Sequence, residues 1–289
     1  LLWLIDAYRH PNVQVSQRAL VGITFILHAY SPRISFYPEI NLRITALMEE
    51  TAFERDLLRI HIQILLSQET EKIDKKMREE IIPEMLKSMS PMRNMKFGFE
   101  ESDEEKDDTN PDWADAIEKS GLGDKLREMN ELQLEGADVY MSTFSQLKSY
   151  PFFREISNWF YPFDKQQSDV IKEFRHRGKE GGSLLEIILQ SGFFCNSDKY
   201  SLFFTMQQLP QSQRDMMLNQ LTDQQIEELA DQSKAETLKK FSERPDTVSN
   251  QYLHDLYRFF KLYARRLEFR DLFKESICLY NEPDLIDIL

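Results

Sequence analysis

Histidine and cysteine, the residue types that most often bind metals or act as nucleophiles, are few and widely separated in this sequence. They are His10, His28, His61, His176, His254, Cys195 and Cys278. No His-Glu-x-x-His or Cys-x-x-Cys spacing occurs, so no two ligands are placed together on one helix face or in one loop. We therefore predict no metal site, no cofactor and no catalytic residue. His61, between Leu57 and Leu65, is predicted to be a buried core histidine.

Cys195 is the strongest single candidate for a nucleophile. It directly precedes a helix predicted to start at Ser197, and a helix N-terminus can stabilise a thiolate. Two adjacent phenylalanines, Phe193 and Phe194, favour burial instead. We interpret Cys195 and Cys278 as small core residues of a protein in a reducing compartment.

The glycine-rich stretch from Gly178 to Ser183 invites comparison with a phosphate-binding loop. Such a loop needs a lysine followed by Ser or Thr at the start of a helix, after a strand. The order Gly-Lys-Glu-Gly-Gly-Ser differs, and no strand is predicted before it. We interpret this stretch as a turn between helices.

Basic residues recur along the last long predicted helix, which runs from Val248 to about Phe273. His254, Arg258, Lys261 and Arg265 are spaced by four, three and four residues, and Arg266 and Arg270 broaden the set. This spacing predicts one basic stripe, which could bind an acidic peptide. The alternatives are a solvated face or pairing with acidic residues of the same chain.

The densest aromatic stretch of the chain spans residues 150–163. It includes Phe152, Phe153, Trp159 and Phe160. Aromatic side chains bury large areas and anchor either cores or interfaces. These residues are therefore interpreted either as part of the core or as a partner-binding surface.

The composition predicts that these residues are positioned by helices. Only 9 glycines and 11 prolines occur in 289 residues, which is too few for the frequent turns of a β-sandwich or barrel.

The formal net charge of −13 disfavours binding to nucleic acid or anionic membranes. No run of 18 apolar residues occurs, so we predict no membrane span and a cytoplasmic location.

Proline breaks and hydrophobic periodicity divide the chain into three predicted parts. Residues 1–89 have short helices separated by prolines, with breaks at Pro11, Pro32 and Pro38, and are predicted to form helical repeats. One of these helices is predicted to bury a face formed by Val15, Ala19, Leu20, Ile23, Ile26, Leu27 and Tyr30. The alternation of Ile60, Ile62 and Ile64 is interpreted as helix, because no turn residues flank it. Residues 90–110 are acidic and predict a flexible linker. Residues 111–289 predict an irregular helical domain, including a long helix over residues 124–149.

Two resemblances refine this organisation. Residues 10–23 resemble the turn and second helix of a HEAT repeat at Pro11, Asn12, Val15, Ala19, Leu20 and Ile23, and depart from it at Ser16. The stretches 74–84, 130–140, 191–200 and 252–261 resemble the N-terminal and central part of large Bacteroidetes proteins that contain tetratricopeptide repeats. That resemblance implies a scaffold role and a fragment of a longer chain. It implies no catalytic residue.

The leading hypothesis is an all-α, α-solenoid-like protein of stacked helical hairpins that binds a protein or peptide partner and is not an enzyme. One alternative is a structural organiser or cap of a longer repeat array, without a ligand of its own. A second alternative is an enzyme whose site is assembled from residues on several helices.

Overall fold

The computed structural model describes residues 1–83, 127, 131–132, 136–164, 192, 194–208, 210 and 240–274. Every regular element among these residues is a helix or helical turn, which confirms the all-α class. The α-helices are α1 (Leu2–Tyr8), α2 (Val13–Ile34), α3 (Pro38–Met48), α4 (Thr51–Gln68), α5 (Thr70–Lys76), α6 (Met141–Phe144), α7 (Asn196–Gln208) and α8 (Pro245–Leu262). The predicted linker at 90–110 and the Gly178–Ser183 turn lie outside the described residues, as does Cys278.

The start of α2 follows the sequence prediction, whereas its end does not. Asn12 caps the helix, since its side-chain oxygen accepts a hydrogen bond from the backbone N–H of Gln14 at 2.8 Å. The predicted break at Pro32 is wrong, because α2 continues to Ile34. Pro32 lies in the last turn, so only two residues after it remain helical.

The predicted buried face of α2 is confirmed at its centre and wrong at both ends. Ala19, Leu20, Ile23 and Leu27 are at most 4% exposed. Val15 and Tyr30, by contrast, are 37% and 49% exposed. Periodicity identifies the correct face, but the neighbouring helices cover only its middle turns.

The alternation of Ile60, Ile62 and Ile64, which a strand would also show, belongs to helix α4. Ile60 and Ile64 are fully buried, while Ile62 is 50% exposed. Burial at a spacing of four residues is the helical pattern. The helical interpretation of this stretch is therefore confirmed, and so is the burial of His61 at 5% exposure.

The chain divides into two compact units. One unit combines Leu1–Gln68 with Thr143–Leu289, and the other is Glu69–Ser142. This division differs from the boundary predicted at residue 89, because α8 packs against α2 and α4 as well as α7.

Two side chains fix α4 against α8 within the first unit. The Gln63 amide donates a hydrogen bond to the Asp246 carbonyl at 2.9 Å and accepts one from the Ser249 hydroxyl at 2.7 Å. Both side chains are buried. Because a buried amide needs both partners, this contact sets the register between the two helices.

Within the second unit, α5 continues into a π-helical turn, Met77–Ile81. Met77 and Ile81 are buried, and so are Ala137 and Val139. The Ser142 hydroxyl donates a hydrogen bond to the Asp74 carboxylate. Residues 82 and 83, the last described residues of this stretch, are again α-helical.

The long helix predicted over residues 124–149 is wrong at residues 136–140. Gly136 has a φ of 97°, and the Ala137 N–H donates to the Leu132 carbonyl at 2.9 Å. These are the features of a Schellman C-cap, which ends a helix. After α6 the chain forms three 3₁₀ turns, Ser145–Ser149, Pro151–Arg154 and Ile156–Trp159.

Helix α8 ends at Leu262, eleven residues before the predicted end at Phe273. Tyr263 leaves the helix with a ψ of 134°, and its ring stacks on Phe259 with centroids 4.9 Å apart. The Tyr263 ring also contacts the Trp159 ring, from a distant part of the chain, with centroids 6.1 Å apart. Periodicity in the sequence does not report such a contact, and two short 3₁₀ turns follow, Arg266–Glu268 and Leu272–Lys274.

Gly192 packs too closely for any larger residue. A Cβ atom there would lie 2.6 Å from Phe241 Cδ1 and 2.8 Å from Thr247 Cγ2. We expect Gly192→Ala to lower the free energy of unfolding by about 1–3 kcal/mol, as overpacking does. Urea denaturation followed by circular dichroism measures the change.

Gly22→Ala is the matched control for that substitution. Its Cβ would lie 3.2 Å from Leu4 Cδ1, the end of a flexible side chain, and alanine favours the helix by up to about 1 kcal/mol. We expect this variant to be close to neutral. Equal losses in the two variants would contradict the close packing at Gly192.

Candidate functional site: a buried charge cluster and an exposed basic segment

The first turns of α7 are buried on all sides although most of their side chains are polar. Each residue from 195 to 201 is at most 5% exposed. Burying polar groups costs free energy unless they find hydrogen-bond or charge partners. Here those partners come from a set of ionisable residues that we name the charge cluster. Its members are Lys148, Asp198, Lys199, Asp255 and Arg258.

Asp198 lies between two cations. Its Oδ1 atom is 2.8 Å from Lys148 Nζ, and its Oδ2 atom is 2.7 Å from Arg258 Nη2. All three side chains are at most 2% exposed. A buried carboxylate with two cationic partners ties α7 to α8 and to the 3₁₀ turn that carries Lys148.

Lys148 also contacts two serine hydroxyls, and this arrangement resembles a serine–lysine catalytic pair. Its ammonium donates hydrogen bonds to Ser197 Oγ at 2.9 Å and Ser201 Oγ at 3.1 Å. A lysine that activates serine must accept a proton and therefore must be neutral. The Lys148 ammonium lies 2.8 Å from the Asp198 carboxylate, and both side chains are at most 2% exposed. The arrangement is therefore that of a structural ion pair.

Asp255 acts as the N-terminal cap of α7 from a different helix. Its carboxylate accepts hydrogen bonds from the backbone N–H of Ser197 at 2.8 Å and of Asn196 at 3.2 Å. These are amides of the first turn of α7, which have no partner inside the helix. A negative charge at this position is also favoured by the helix dipole.

Arg18 brings helix α2 to the same region. Its guanidinium lies 4.8 Å from the centre of the Tyr252 ring and donates a hydrogen bond to the Phe160 carbonyl. Burial lowers the pKa of Arg18, and the charge of Asp255 partly offsets that effect. The charge cluster and Arg18 thus connect α2, α7 and α8 through buried electrostatic contacts.

Lys199 and Cys195 are both perturbed by burial. Burial lowers the pKa of Lys199 to about 8, against a usual 10.5. Burial also raises the pKa of the Cys195 thiol well above its usual value, although Arg258 opposes the shift. Cys195 is 2% exposed and therefore stays a neutral thiol near pH 7, as expected for a core cysteine.

The predicted basic stripe is not a single exposed face. His254 and Arg258 are 8% and 1% exposed, so the stripe is wrong as a continuous surface. Helical spacing places them correctly on one side of α8, but α7 covers that side. The Arg258 pair with Asp198 matches the alternative of pairing with the protein's own acidic residues.

The remaining basic residues lie at or beyond the end of α8. Lys261 pairs with Asp271 at 3.0 Å and is partly buried. Arg265 forms a two-point contact with Glu268, at 2.7 and 2.6 Å. Arg266 and Arg270 are exposed, on the segment that follows the helix.

The aromatic stretch at 150–163 belongs mainly to the core. Phe152, Phe153 and Trp159 are 8%, 3% and 1% exposed, and Phe160 is partly buried. They pack with residues of α7 and of α8 and its C-terminal end, namely Tyr200, Phe203, Phe259 and Tyr263. Lys148 faces two of the rings, with its Nζ atom 4.8 Å from the centre of Phe153 and 5.9 Å from that of Trp159.

Sequence reasoning did not identify the charge cluster. Lys148 is separated by 50 residues from Asp198, which is separated by 60 from Arg258, so no motif spacing joins them. The available signal is the polar start of α7, Asn-Ser-Asp-Lys, which follows two phenylalanines and precedes Tyr200 and Phe203. A polar turn inside an aromatic stretch indicates a buried polar network.

Within the described ranges, no group of three or more His, Cys, Asp or Glu residues is arranged to hold a metal ion. None of the helices described there is long and apolar enough to cross a membrane. No protein-family model, curated protein or solved structure shows significant similarity to the chain.

Proposed function

We propose that this protein is a non-catalytic helical scaffold that binds an acidic peptide segment of a protein partner. The contact surface would be residues 263–270, which we name the basic segment. It contains Arg265, Arg266 and Arg270 against one acidic residue, Glu268. The observation that carries the proposal is this local excess of arginine around an exposed leucine in a chain of net charge −13.

Leu267, at the centre of the basic segment, is 91% exposed. Phe269 is 38% exposed and contacts the Phe259 ring, with centroids 5.2 Å apart. An exposed apolar residue flanked by guanidinium groups suits a peptide that combines carboxylates with an apolar side chain. The interior ion pairs and aromatic packing of α8 hold this segment in place.

A second surface supports a scaffold role. Leu58, Ile62 and Leu65 on α4 are 42%, 50% and 45% exposed, and their spacing of four and three residues places them on one face. Contiguous exposed apolar residues favour protein–protein contact. Consecutive helices α1 to α4 also contact one another in chain order, which is compatible with a helical-repeat arrangement.

The basic segment can be tested by charge reversal at Arg266. No carboxylate among the described residues pairs with this side chain. Fluorescence anisotropy with a labelled peptide of Asp, Glu and one Phe should detect binding at low salt. We expect Arg266→Glu to weaken this binding about tenfold, corresponding to about 1.4 kcal/mol.

Arg55→Glu is the matched control, because Arg55 is an exposed arginine of the same unit on α4. It changes the net charge by the same amount at a distant position in the sequence. We expect its affinity to stay close to that of the wild type. Equal losses for both variants would indicate a nonspecific charge effect, and no binding by the wild type would refute the acidic-peptide proposal.

A further inference from the structure

The solvent face of helix α4 is mostly apolar. All of α4 is described, and from Arg55 to its end at Gln68 its exposed residues are Arg55, Leu58, Ile62 and Leu65. The three apolar side chains are 42%, 50% and 45% exposed. The solvent face of a helix in a globular protein is normally polar. This face therefore has the composition of a contact surface that the chain itself does not cover.

The spacing of these residues fits packing against another helix. The intervals from Arg55 to Leu65 are three, four and three residues. This is the spacing of the positions along which one helix packs against a second helix. The four residues form a single stripe along α4, which we name the α4 stripe.

The charges of α4 are arranged unevenly along its axis. The helix has Glu54 in its first turn and no basic residue in its last turn. The C-terminal end of a helix carries partial negative charge, which a nearby cation stabilises. The cation of the α4 stripe, Arg55, lies instead near the start of the helix, where the dipole disfavours it. The last turn of α4 is therefore suited to a cation from another molecule.

A second copy of α4, running antiparallel to the first, supplies both an apolar partner and that cation. Around a two-fold axis at Ile62, Leu58 of each copy meets Leu65 of the other. Seven residues separate Arg55 from Ile62 and six separate Ile62 from Gln68, which correspond to about 10 Å and about 9 Å along the helix. Arg55 of each copy then lies beside the last turn of the other helix.

We propose that the protein self-associates through the α4 stripe, as a two-fold symmetric dimer with antiparallel α4 helices. A two-fold interface requires one patch that is complementary to itself, and the α4 stripe has this property in both its apolar residues and its charge. Because the stripe is narrow, the dimer is expected to be transient and dependent on concentration. The inference names the partner of the second surface considered above and does not involve the basic segment.

Sedimentation velocity of the full chain over a range of concentrations tests the proposal. We expect the wild type to form a dimer as its concentration rises. Ile62→Asp places two carboxylates opposite each other at the axis and should weaken the dimer by about tenfold or more. Ile156→Asp is the matched control, since Ile156 is 40% exposed on a 3₁₀ turn elsewhere in the same unit, and it should dimerise like the wild type.

Two results would overturn the proposal. One is a wild type that stays monomeric up to millimolar concentration, and the other is a folded Ile62→Asp that dimerises like the wild type. Arg55→Glu should weaken the dimer about fivefold, because each dimer loses two contacts with a helix end. The same variant should still bind the acidic peptide, so failure of self-association and failure of the proposed function are distinguishable.

Cysteine cross-linking tests the symmetry without relying on a disruptive substitution. At a two-fold axis a residue meets its own copy, so a single cysteine at position 62 suffices. In a Cys278→Ser background, where Cys195 is buried, a short bismaleimide should link Ile62→Cys into a covalent dimer. Ile156→Cys should stay monomeric. Equal cross-linking of the two variants, or none at position 62, would contradict an axis at Ile62.

Discussion

Asp198→Ala is expected to lower the free energy of unfolding by about 3–5 kcal/mol, because it leaves two buried cations without a counterion. Asp198 is fully buried and lies within 2.8 Å of both Lys148 and Arg258. Removing a single partner from a buried ion pair costs more than the pair contributes, since the remaining charge is desolvated and uncompensated. Equilibrium unfolding in urea measures the loss.

Two variants separate this effect from a general loss of charge. Glu268→Ala breaks the exposed pair with Arg265, and solvent-exposed ion pairs contribute little to stability. The triple variant Lys148→Met, Asp198→Leu, Arg258→Met removes all three charges and should be close to neutral in stability. If Asp198→Ala costs no more than Glu268→Ala, the buried ion pairs do not hold α7 in place.

Lys199→Met is expected to stabilise the protein by about 3 kcal/mol at pH 7. The pKa of Lys199 falls from 10.5 to about 8 on folding, and each pKa unit corresponds to about 1.4 kcal/mol. Methionine keeps most of the side-chain volume and removes the buried charge. Urea denaturation at pH 7 gives the difference from the wild type.

The sign of the pH dependence follows from the direction of that shift. Below pH 8 the lysine is protonated in both states, so the folded state bears the full cost of a buried ammonium. Between about pH 8 and 10.5 the unfolded state binds more protons, and wild-type stability rises relative to Lys199→Met. Above pH 10.5 the difference becomes constant.

A parallel series with Lys72→Met controls for general effects of alkaline pH, because Lys72 is exposed. Its stability profile should follow that of the wild type across the whole range. A constant difference between the wild type and Lys199→Met from pH 7 to 10.5 would mean that Lys199 is not desolvated on folding.

The sequence by itself determined the secondary-structure class and several helix boundaries. Helix α2 begins after the break predicted at Pro11, and the alternation of Ile60, Ile62 and Ile64 was assigned correctly to a helix. Such features depend on local interactions within a few residues, which spacing and residue type express directly. The burial of His61 followed from the apolar residues one turn away on each side.

Only the tertiary structure decided which polar residues of α7 and α8 are buried. Arg258 has the helical spacing of a surface stripe, and it is buried because Asp198, 60 residues earlier, lies 2.7 Å away. The end of α8 at Leu262 likewise coincides with the packing of Tyr263 against Trp159 in the aromatic core. Periodicity shows which residues share a helix face, whereas long-range packing decides whether that face meets solvent or another helix.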